Sequence, residues 1–207
     1  MGRGRKKPLL ENLEMIEAVA EGKSLAKTDD KVVFVTNAVP GDIADVQVVK
    51  KRKAYLEGYA TRFHKYSDKR STPICSHFGT CGGCKWQNLK YEEQLKAKQK
   101  TVEDQLTRIG GLIIPDINPI LGSNKTSHYR NKLEFTFSNK RWLTPDEIKS
   151  DKPIDRDSAL GFHVPGKFDK IVDIQECHLQ DAPSNEIRLK VKEIALREGY
   201  EFFDLRA

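Results

Sequence analysis

Three of the chain's four cysteines lie within one short stretch, and this spacing constrains the fold more than any other feature of the sequence. They are Cys75, Cys81 and Cys84 in CSHFGTCGGCKWQ, and Cys177 follows about half a chain later in IQECHL. The two glycines before Cys84 let the backbone curl tightly and bring amide N–H groups close to the sulfurs. Three close thiolates with a distant fourth are a common ligand set for a [4Fe–4S] cluster, whereas zinc ribbons usually show two C-x2-C knuckles. The spacing therefore predicts a metal centre and favours iron–sulfur, while zinc stays open.

The chain carries no recognisable membrane or secretion signal. Its 207 residues are enough for one large domain or two modest ones. No apolar run approaches the roughly 18–20 residues that cross a bilayer, and the basic start MGRGRKKPLLENLE has no apolar stretch after it. We therefore expect a cytoplasmic protein with no membrane partner, in which thiols stay reduced and clustered cysteines bind metal. His77 and His178 border the cysteines and are candidate zinc ligands, although surface or hydrogen-bonding roles are commoner for such histidines.

Basic residues are concentrated in one part of the chain. The formal net charge is +6, and from residue 50 to residue 70 eight Lys or Arg stand against two acids. A basic surface favours a polyanionic partner, because binding to phosphates releases counterions. Beside a metal motif this patch predicts nucleic-acid binding, and its candidate contact residues are Arg52, Lys53, Arg62 and Lys65.

The first 66 residues favour a small β-barrel. Residues 31–35, 43–49 and 54–63 each have strand character, and Pro40-Gly41 supplies a turn. Gly58 lies inside the third of these strands and is predicted to mark a bulge or a barrel bend. The segment LENLEMIEAVAEG resembles a helix by propensity, and only the barrel context argues for a strand.

Residues 67–207 favour a mixed α/β domain that carries the cysteines. The sequence predicts a helix over 88–111 with an apolar face of Leu95, Val102, Leu106 and Ile109. It then predicts a strand over 128–138 and a hairpin that turns at Pro165-Gly166. A second helix follows, capped by Ser184 or Asn185 and ended by Gly199, and FFDL has the character of a further strand that is cut short. The fold class is therefore α+β, with a small β-barrel followed by the α/β domain.

These motifs together resemble a known family. The order is a barrel segment with PGD, then C-x5-C-G-G-C-K-W-Q, a helix, YRNK and a late cysteine. It is similar to the N-terminal part of the iron–sulfur RNA (uracil-5-)-methyltransferases that modify 23S ribosomal RNA. The first segment resembles a TRAM domain, an RNA-binding barrel of the OB type. The resemblance covers nearly all of the chain and is poorest in RWLTPDEIKSDKPIDRDSA.

The resemblance implies specific roles for residues of this chain. Cys75, Cys81, Cys84 and Cys177 would ligate a [4Fe–4S] cluster. The barrel and the surface around Tyr129, Arg130, Asn131 and Lys132 would contact RNA, with 23S rRNA as the expected partner and no DNA. Without the resemblance, YRNK is best explained as a strand with a solvent-facing polar side.

The resemblance also implies what this chain leaves out. Family members are about twice as long, and their second half resembles a doubly wound, Rossmann-like domain that binds S-adenosylmethionine. That half carries the nucleophilic cysteine and the carboxylate base. We therefore expect the full-length parent to be an S-adenosylmethionine-dependent methyltransferase. This chain alone would bind RNA and a cluster, with no catalytic residue and no methyl transfer, because all four of its thiols are committed to metal.

Two other functions remain open on the sequence. One is a non-enzymatic RNA-binding module whose four cysteines hold structural zinc. The other is a radical enzyme with a TRAM domain, which fits poorly because such enzymes use C-x3-C-x2-C and leave one iron site open. Aromatic residues that could stack bases are Tyr55, Tyr59, Phe63 and Trp86, of which we expect at most one or two to do so.

Overall fold

The computed structural model describes residues 7–151 and 153–206, and the side chains of residues 145 and 146 lie outside that description. The chain folds into two compact units that interleave along the sequence. The first runs to Thr72 and resumes as Trp86–Gly122, and the second combines Pro73–Lys85 with the chain from Ser123 onward. The sequence analysis places a single boundary near residue 66. In the first unit the two segments are joined by backbone hydrogen bonds from Ser71 N to Asn88 O and from Lys90 N to Lys69 O, both 3.0 Å.

The first unit contains a six-stranded sheet that closes into a barrel. The strands pair in the order β1-β5-β6-β4-β3-β2, and they are β1 (Leu9–Glu14), β2 (Glu17–Val19), β3 (Lys23–Lys27), β4 (Val32–Thr36), β5 (Ile43–Lys51) and β6 (Tyr55–Lys65). The two edge strands β1 and β2 follow one another directly along the chain. The single bent stretch 9–19 therefore pairs with β5 at one end and with β3 at the other, which closes the sheet. The barrel context, rather than helix propensity, decides the structure of this segment.

Alternating aliphatic residues fill the barrel. Val33 and Val35 on β4 and Val46 and Val48 on β5 are buried, as strand periodicity requires. Met15, at the bend between β1 and β2, is also buried in this core.

The bulge that was predicted at Gly58 on β6 lies on the neighbouring strand β5. Val48 pairs with Gly58 and Lys50 pairs with Glu57, so the additional residue is Val49 on β5. Gly58 itself allows a close approach, because a Cβ there would lie 2.6 Å from the Gln47 carbonyl oxygen.

A buried carboxylate fixes the turn that follows β4. The fully buried Asp42, from the PGD motif, accepts hydrogen bonds from the backbone N–H groups of Val39 (2.7 Å) and Ser67 (2.9 Å). Its two oxygens also accept hydrogen bonds from Nε (2.9 Å) and Nη2 (2.7 Å) of Arg70. A bidentate pair of this kind positions the chain that leaves the barrel.

The predicted helix of the first unit is present as α1 (Tyr91–Asp104), which continues into a π-helical turn over Gln105–Ile109. Its predicted apolar face is not buried, because no residue of α1 is buried and Ile109 is 82% exposed. A side-chain ion pair between Lys100 and Glu17 links α1 to β2 at 3.7 Å.

The second unit is a three-stranded antiparallel sheet with two helices. The elements are β7 (Thr136–Ser138), α2 (Pro145–Lys149), β8 (Ala159–Val164), β9 (Lys167–Asp173) and α3 (Ser184–Arg197), and the strand order is β7-β8-β9. The hairpin turns at Pro165-Gly166 and Gly199 follows α3 with φ +72°, both as predicted. Ile171 and Leu160 are buried within this sheet.

Three predictions for the second unit are wrong. The strand expected over 128–138 is confined to β7, because His128 and Arg130 donate their N–H groups to the carbonyls of His178 and Leu179 instead of entering a ladder. FFDL forms no strand in the part of the chain described. The residue at the N-cap of α3 is Pro183, and no side chain caps that helix.

Candidate metal centre and nucleic-acid surfaces

The loop that carries Cys75, Cys81 and Cys84 is a succession of tight turns attached to β8. Phe78 N donates to Cys75 O (3.1 Å) and Cys81 N donates to His77 O (2.8 Å). Gly82 N then donates to His163 O at 3.0 Å, and a Cβ at Gly82 would lie 2.6 Å from that oxygen. Only a residue without a side chain fits this contact, which explains why glycine stands between the second and third cysteines.

Cys177 lies in the segment between β9 and α3, where side chains hold the backbone. Cys177 N donates to Oδ1 of Asn185 at 2.9 Å, and Nδ2 of Asn185 donates to Cys177 O at 3.0 Å. The backbone N–H of Gln175 donates to Nε2 of His77 at 3.1 Å. This bond joins the cysteine loop to the segment of Cys177. Asn185, a candidate helix cap on the sequence, thus holds the backbone of Cys177 instead.

The four thiols are partly buried and lie close enough to affect one another. Burial raises the pKa of Cys75 and of Cys177, and it raises the pKa of Cys81 to about 11, with the neighbouring cysteines adding to each shift. Backbone N–H groups act in the opposite direction. Gly83 N donates to Sγ of Cys81 at 3.3 Å, and the N–H groups of His77 and Leu179 stabilise Cys75 and Cys177 as thiolates. Sulfur atoms that accept N–H hydrogen bonds are typical of cysteines that bind metal.

The chemistry of the four thiols suits either a single zinc ion or a four-iron cube. In residues 7–151 and 153–206, no group of three or more His, Cys, Asp or Glu side chains is arranged to hold a single metal ion. A zinc ion binds all of its thiolates itself, whereas each thiolate of a cube binds a different iron. Thiols that accept backbone N–H groups, as those of Cys75, Cys81 and Cys177 do, can serve either centre.

The two histidines beside the cysteines have other partners. Burial lowers the pKa of His77, and Nε2 of His77 accepts the hydrogen bond from Gln175. Nδ1 of His178 lies 3.7 Å from the Glu176 carboxylate, and its ring packs edge-on against His128 at 5.9 Å. The contact of His77 is therefore a hydrogen bond, whereas that of His178 is at ion-pair distance.

The candidate RNA-binding residues form one exposed set on each unit. On the first unit, Arg52 and Lys53 form the turn between β5 and β6, and Arg62 and Lys65 lie farther along β6. The carbonyl oxygens of Arg52 and Lys53 accept hydrogen bonds from Lys31 Nζ (3.1 and 3.0 Å), so the backbone of the turn is held while its side chains are exposed. On the second unit the exposed residues are Tyr129, Arg130, Asn131 and Lys132.

One exposed aromatic residue was missed by the sequence analysis. Tyr66 is 65% exposed and stacks on Phe63 with ring centroids 4.8 Å apart. The Arg70 guanidinium lies about 5 Å from both rings. Of the predicted aromatic residues, Tyr59 is 41% exposed, whereas Tyr55 packs against Phe34. Stacked aromatic rings with a nearby arginine can stack on nucleic-acid bases.

No helix in the described part of the chain is long and apolar enough to cross a membrane.

The comparisons with known proteins define the class to which this architecture is similar. The family model of the TRAM domain matches residues 16–61, which lie in the barrel. The chain is 54% identical over 187 residues to an uncharacterized RNA methyltransferase of Bacteroides thetaiotaomicron, covering 90% of this chain and 41% of that protein. It is 48% identical over 202 residues to an uncharacterized RNA methyltransferase of Porphyromonas gingivalis, covering 94% and 43%. The first unit therefore contains a TRAM domain, as predicted, and the chain is a homologue of proteins named as RNA methyltransferases.

One solved structure of a methyltransferase with a named target is also similar to this chain. The Pyrococcus abyssi tRNA (uracil-54, C5)-methyltransferase in complex with S-adenosyl-L-homocysteine matches with a TM-score of 0.53 and 25% identity. The match covers 90% of this chain and 37% of that one. This chain thus spans about 40% of the length of the relatives that it matches.

Proposed function

We propose that this chain is the RNA-recognition part of an S-adenosylmethionine-dependent RNA (uracil-5-)-methyltransferase. The main support for this proposal is the TRAM domain in the first unit, which belongs to an RNA-binding class of barrel. The homologues of the chain are named as RNA methyltransferases, which agrees with that role. The structural neighbour, which modifies C5 of a uracil, supports the choice of reaction. We propose 23S rRNA as the substrate, and transfer RNA is the alternative that the binding experiment must separate from it. The cytoplasmic location expected from the sequence stays a prediction.

We propose two RNA-binding surfaces, one on each unit. Arg52, Lys53, Arg62 and Lys65 would contact phosphates, because lysine and arginine side chains there are exposed and basic. Tyr129 and Arg130, with Asn131 and Lys132, would contact the RNA from the second unit. Tyr66 on Phe63 would offer a face for an unpaired base.

The proposed role of the four cysteines is structural. Cys75, Cys81, Cys84 and Cys177 would hold a [4Fe–4S] cluster, which when bound supplies four iron–thiolate bonds and no redox step in a methyl transfer. The chain's own residues prepare the site: Gly82 fixes the loop on β8, and Asn185 and His77 hold the segment of Cys177. The cluster would then tie residues 75–84 to residue 177.

The chain by itself is proposed to bind RNA without methylating it. All four thiols are assigned to metal, so no cysteine here is left to add to C6 of a uracil. S-adenosylmethionine would be used by the whole protein, and no site for it is assigned among the described residues.

Two measurements test this function. Protein purified without oxygen should be brown and contain about four irons and four sulfides per chain, whereas one zinc per chain would favour the non-enzymatic zinc module. Filter binding should then show tighter association with fragments of 23S rRNA than with transfer RNA or with DNA of the same length. The affinity should fall steeply with salt. Equal affinity for DNA and RNA, or binding that ignores salt, would contradict the proposal.

A further inference from the structure

Arg188 on α3 is a buried cation without a described carboxylate partner. The residue is 5% exposed, and its guanidinium donates to the carbonyl oxygens of Ile174 and Gln175 and to Oδ1 of Asn185. These acceptors are neutral, and Nε is buried with no partner in the part of the chain that is described. The ring of Phe135 lies 5.1 Å from the guanidinium carbon. Burying a charge without an ionic partner is expensive, so a fold that retains one is expected to place a negative charge nearby.

The fixed charges around Arg188 do not supply that negative charge. Asp173 is the nearby carboxylate that favours the charged form of Arg188, but it pairs with Lys192 at 2.8 Å. Asp173 also accepts the backbone N–H of Leu160 at 3.0 Å. Two cations therefore share one carboxylate, and the local balance is positive before the cysteines are counted.

Arg188 is also attached to the segment that carries Cys177. It donates to the carbonyl of Gln175 at 2.9 Å and to Oδ1 of Asn185 at 3.2 Å, and the same Oδ1 accepts the N–H of Cys177. The guanidinium thus holds the backbone just before Cys177 and shares Oδ1 of Asn185 with the backbone N–H of Cys177.

We propose that Arg188 is the counter-charge and a positioning residue for the metal centre of the four cysteines. This rests on the metal centre in the proposed function. Four thiolates around a core with two positive charges leave about two negative charges on the site. Arg188 donates to the carbonyl of Gln175, two residues before Cys177, and would compensate part of that charge. The core itself is positive, but the loaded site as a whole is negative. Loss of the core and reprotonation of the thiols would therefore leave the Arg188 cation uncompensated.

The test compares Arg188→Gln and Arg188→Lys with the wild-type chain after anaerobic reconstitution with iron and sulfide. Gln removes the charge, and Lys keeps the charge but loses the fork. Loss of a residue that supports a metal ligand weakens metal binding about 10- to 100-fold. We expect the lifetime of the visible absorbance in excess chelator to shorten by about that factor in Arg188→Gln and by less than about tenfold in Arg188→Lys. The reduction potential should become more negative in Arg188→Gln and stay at the wild-type value in Arg188→Lys.

The matched control is Arg197→Gln, on the same helix. Arg197 is exposed and pairs with Glu198 at 2.9 Å, so its replacement should leave both measurements unchanged. The proposal is overturned if Arg188→Gln keeps the wild-type lifetime and potential, or if Arg188→Lys shifts the potential as Arg188→Gln does. If Arg188→Gln fails to fold, a reduction potential of Arg188→Lys that is more negative than that of the wild type overturns the proposal. A wild-type chain that takes up no metal overturns the metal centre itself, whereas a loaded wild type with an unaffected Arg188→Gln overturns the counter-charge alone.

Discussion

Gly82 shows how a single residue can decide whether the cysteine loop reaches its place. The loop contacts β8 through the bond from Gly82 N to His163 O, and a Cβ at Gly82 would lie 2.6 Å from that oxygen. Gly82→Ala should therefore push the loop from the strand, destabilise the second unit by about 1–3 kcal/mol and lower the iron content after reconstitution. Gly83→Ala is the control, because its Cβ would meet Sγ of Cys81 at 3.4 Å, an ordinary contact. Equal iron content in the two variants, measured with equal unfolding midpoints, would refute this account.

Asp45 makes the stability of the barrel depend on pH in acid. The hydrogen bond from His64 (2.6 Å), followed by that from the backbone N–H of Asn12 (2.9 Å), holds the pKa of Asp45 below its ordinary value of 3.8. A lowered carboxyl pKa contributes stability above about pH 4, and that stability is lost as the pH falls through the lowered pKa. Between about pH 5 and pH 3, urea denaturation should show a smaller loss of unfolding free energy in Asp45→Asn than in the wild type. Asp30→Asn, at an exposed position, should behave as the wild type. An identical pH dependence in all three proteins would disprove the role of Asp45.

At the residue scale, the sequence predicted the ligands of the proposed site but not the residues around them. The four cysteines are visible because thiol spacing is itself a chemical constraint. Asn185 and Arg188 carry no such pattern. Both lie on α3 and form hydrogen bonds with the backbone of residues 174–177. No repeat or spacing in the sequence connects that segment to the helix. Tertiary contacts of this kind can be found only once the helix has been placed.

At the scale of elements, barrel strands were easier to predict than those of the second unit. Val33 and Val35, and likewise Val46 and Val48, alternate with more exposed residues, and that periodicity is local. Residues 128–135 also alternate, but their N–H groups bond to the irregular segment at 178–179 rather than to a strand. The pattern in the sequence was the same in both cases, and the partner decided the structure.

The turn between β5 and β6 is the element on which the proposed RNA binding can be tested most directly. The double variant Arg52→Gln/Lys53→Gln should reduce the salt slope of RNA binding by about two, because each lost phosphate contact removes about one unit. Lys31 holds the backbone of the turn through its bonds to two carbonyls, so the fold should be unaffected. The slope is obtained from dissociation constants at several salt concentrations. The control is Lys96→Gln/Lys98→Gln on α1, which removes the same net charge. If the two double variants have the same salt slope, the turn between β5 and β6 makes no specific contribution to RNA binding.

At the scale of the whole molecule, the sequence did not indicate that the two units interleave. Residues 73–85 belong to the second unit, yet they are connected along the chain to Thr72 and Trp86 of the first. A composition shift near residue 66 is a local signal, whereas membership of a unit is decided by contacts distant in sequence. The contacts that hold residues 73–85 in the second unit include the bonds of Gly82 to His163 and of His77 to Gln175.

The proposed cluster would reinforce those few hydrogen bonds with a cross-link over the long stretch of chain between Cys75 and Cys177. In the chain-entropy account, closing a loop of roughly 100 residues stabilises a fold by about 4–5 kcal/mol. Cys177→Ala should therefore lose the cluster, unfold at lower denaturant concentration and expose residues 75–84 to protease, while the TRAM barrel stays folded and keeps part of its RNA affinity. His178→Ala is the control, because His178 is not among the four proposed iron ligands and this variant should retain iron. Unfolding curves, proteolysis with mass spectrometry and RNA titration measure the three effects. If Cys177→Ala matched the iron-loaded wild type in denaturant midpoint and RNA affinity, the cross-link would have no structural role.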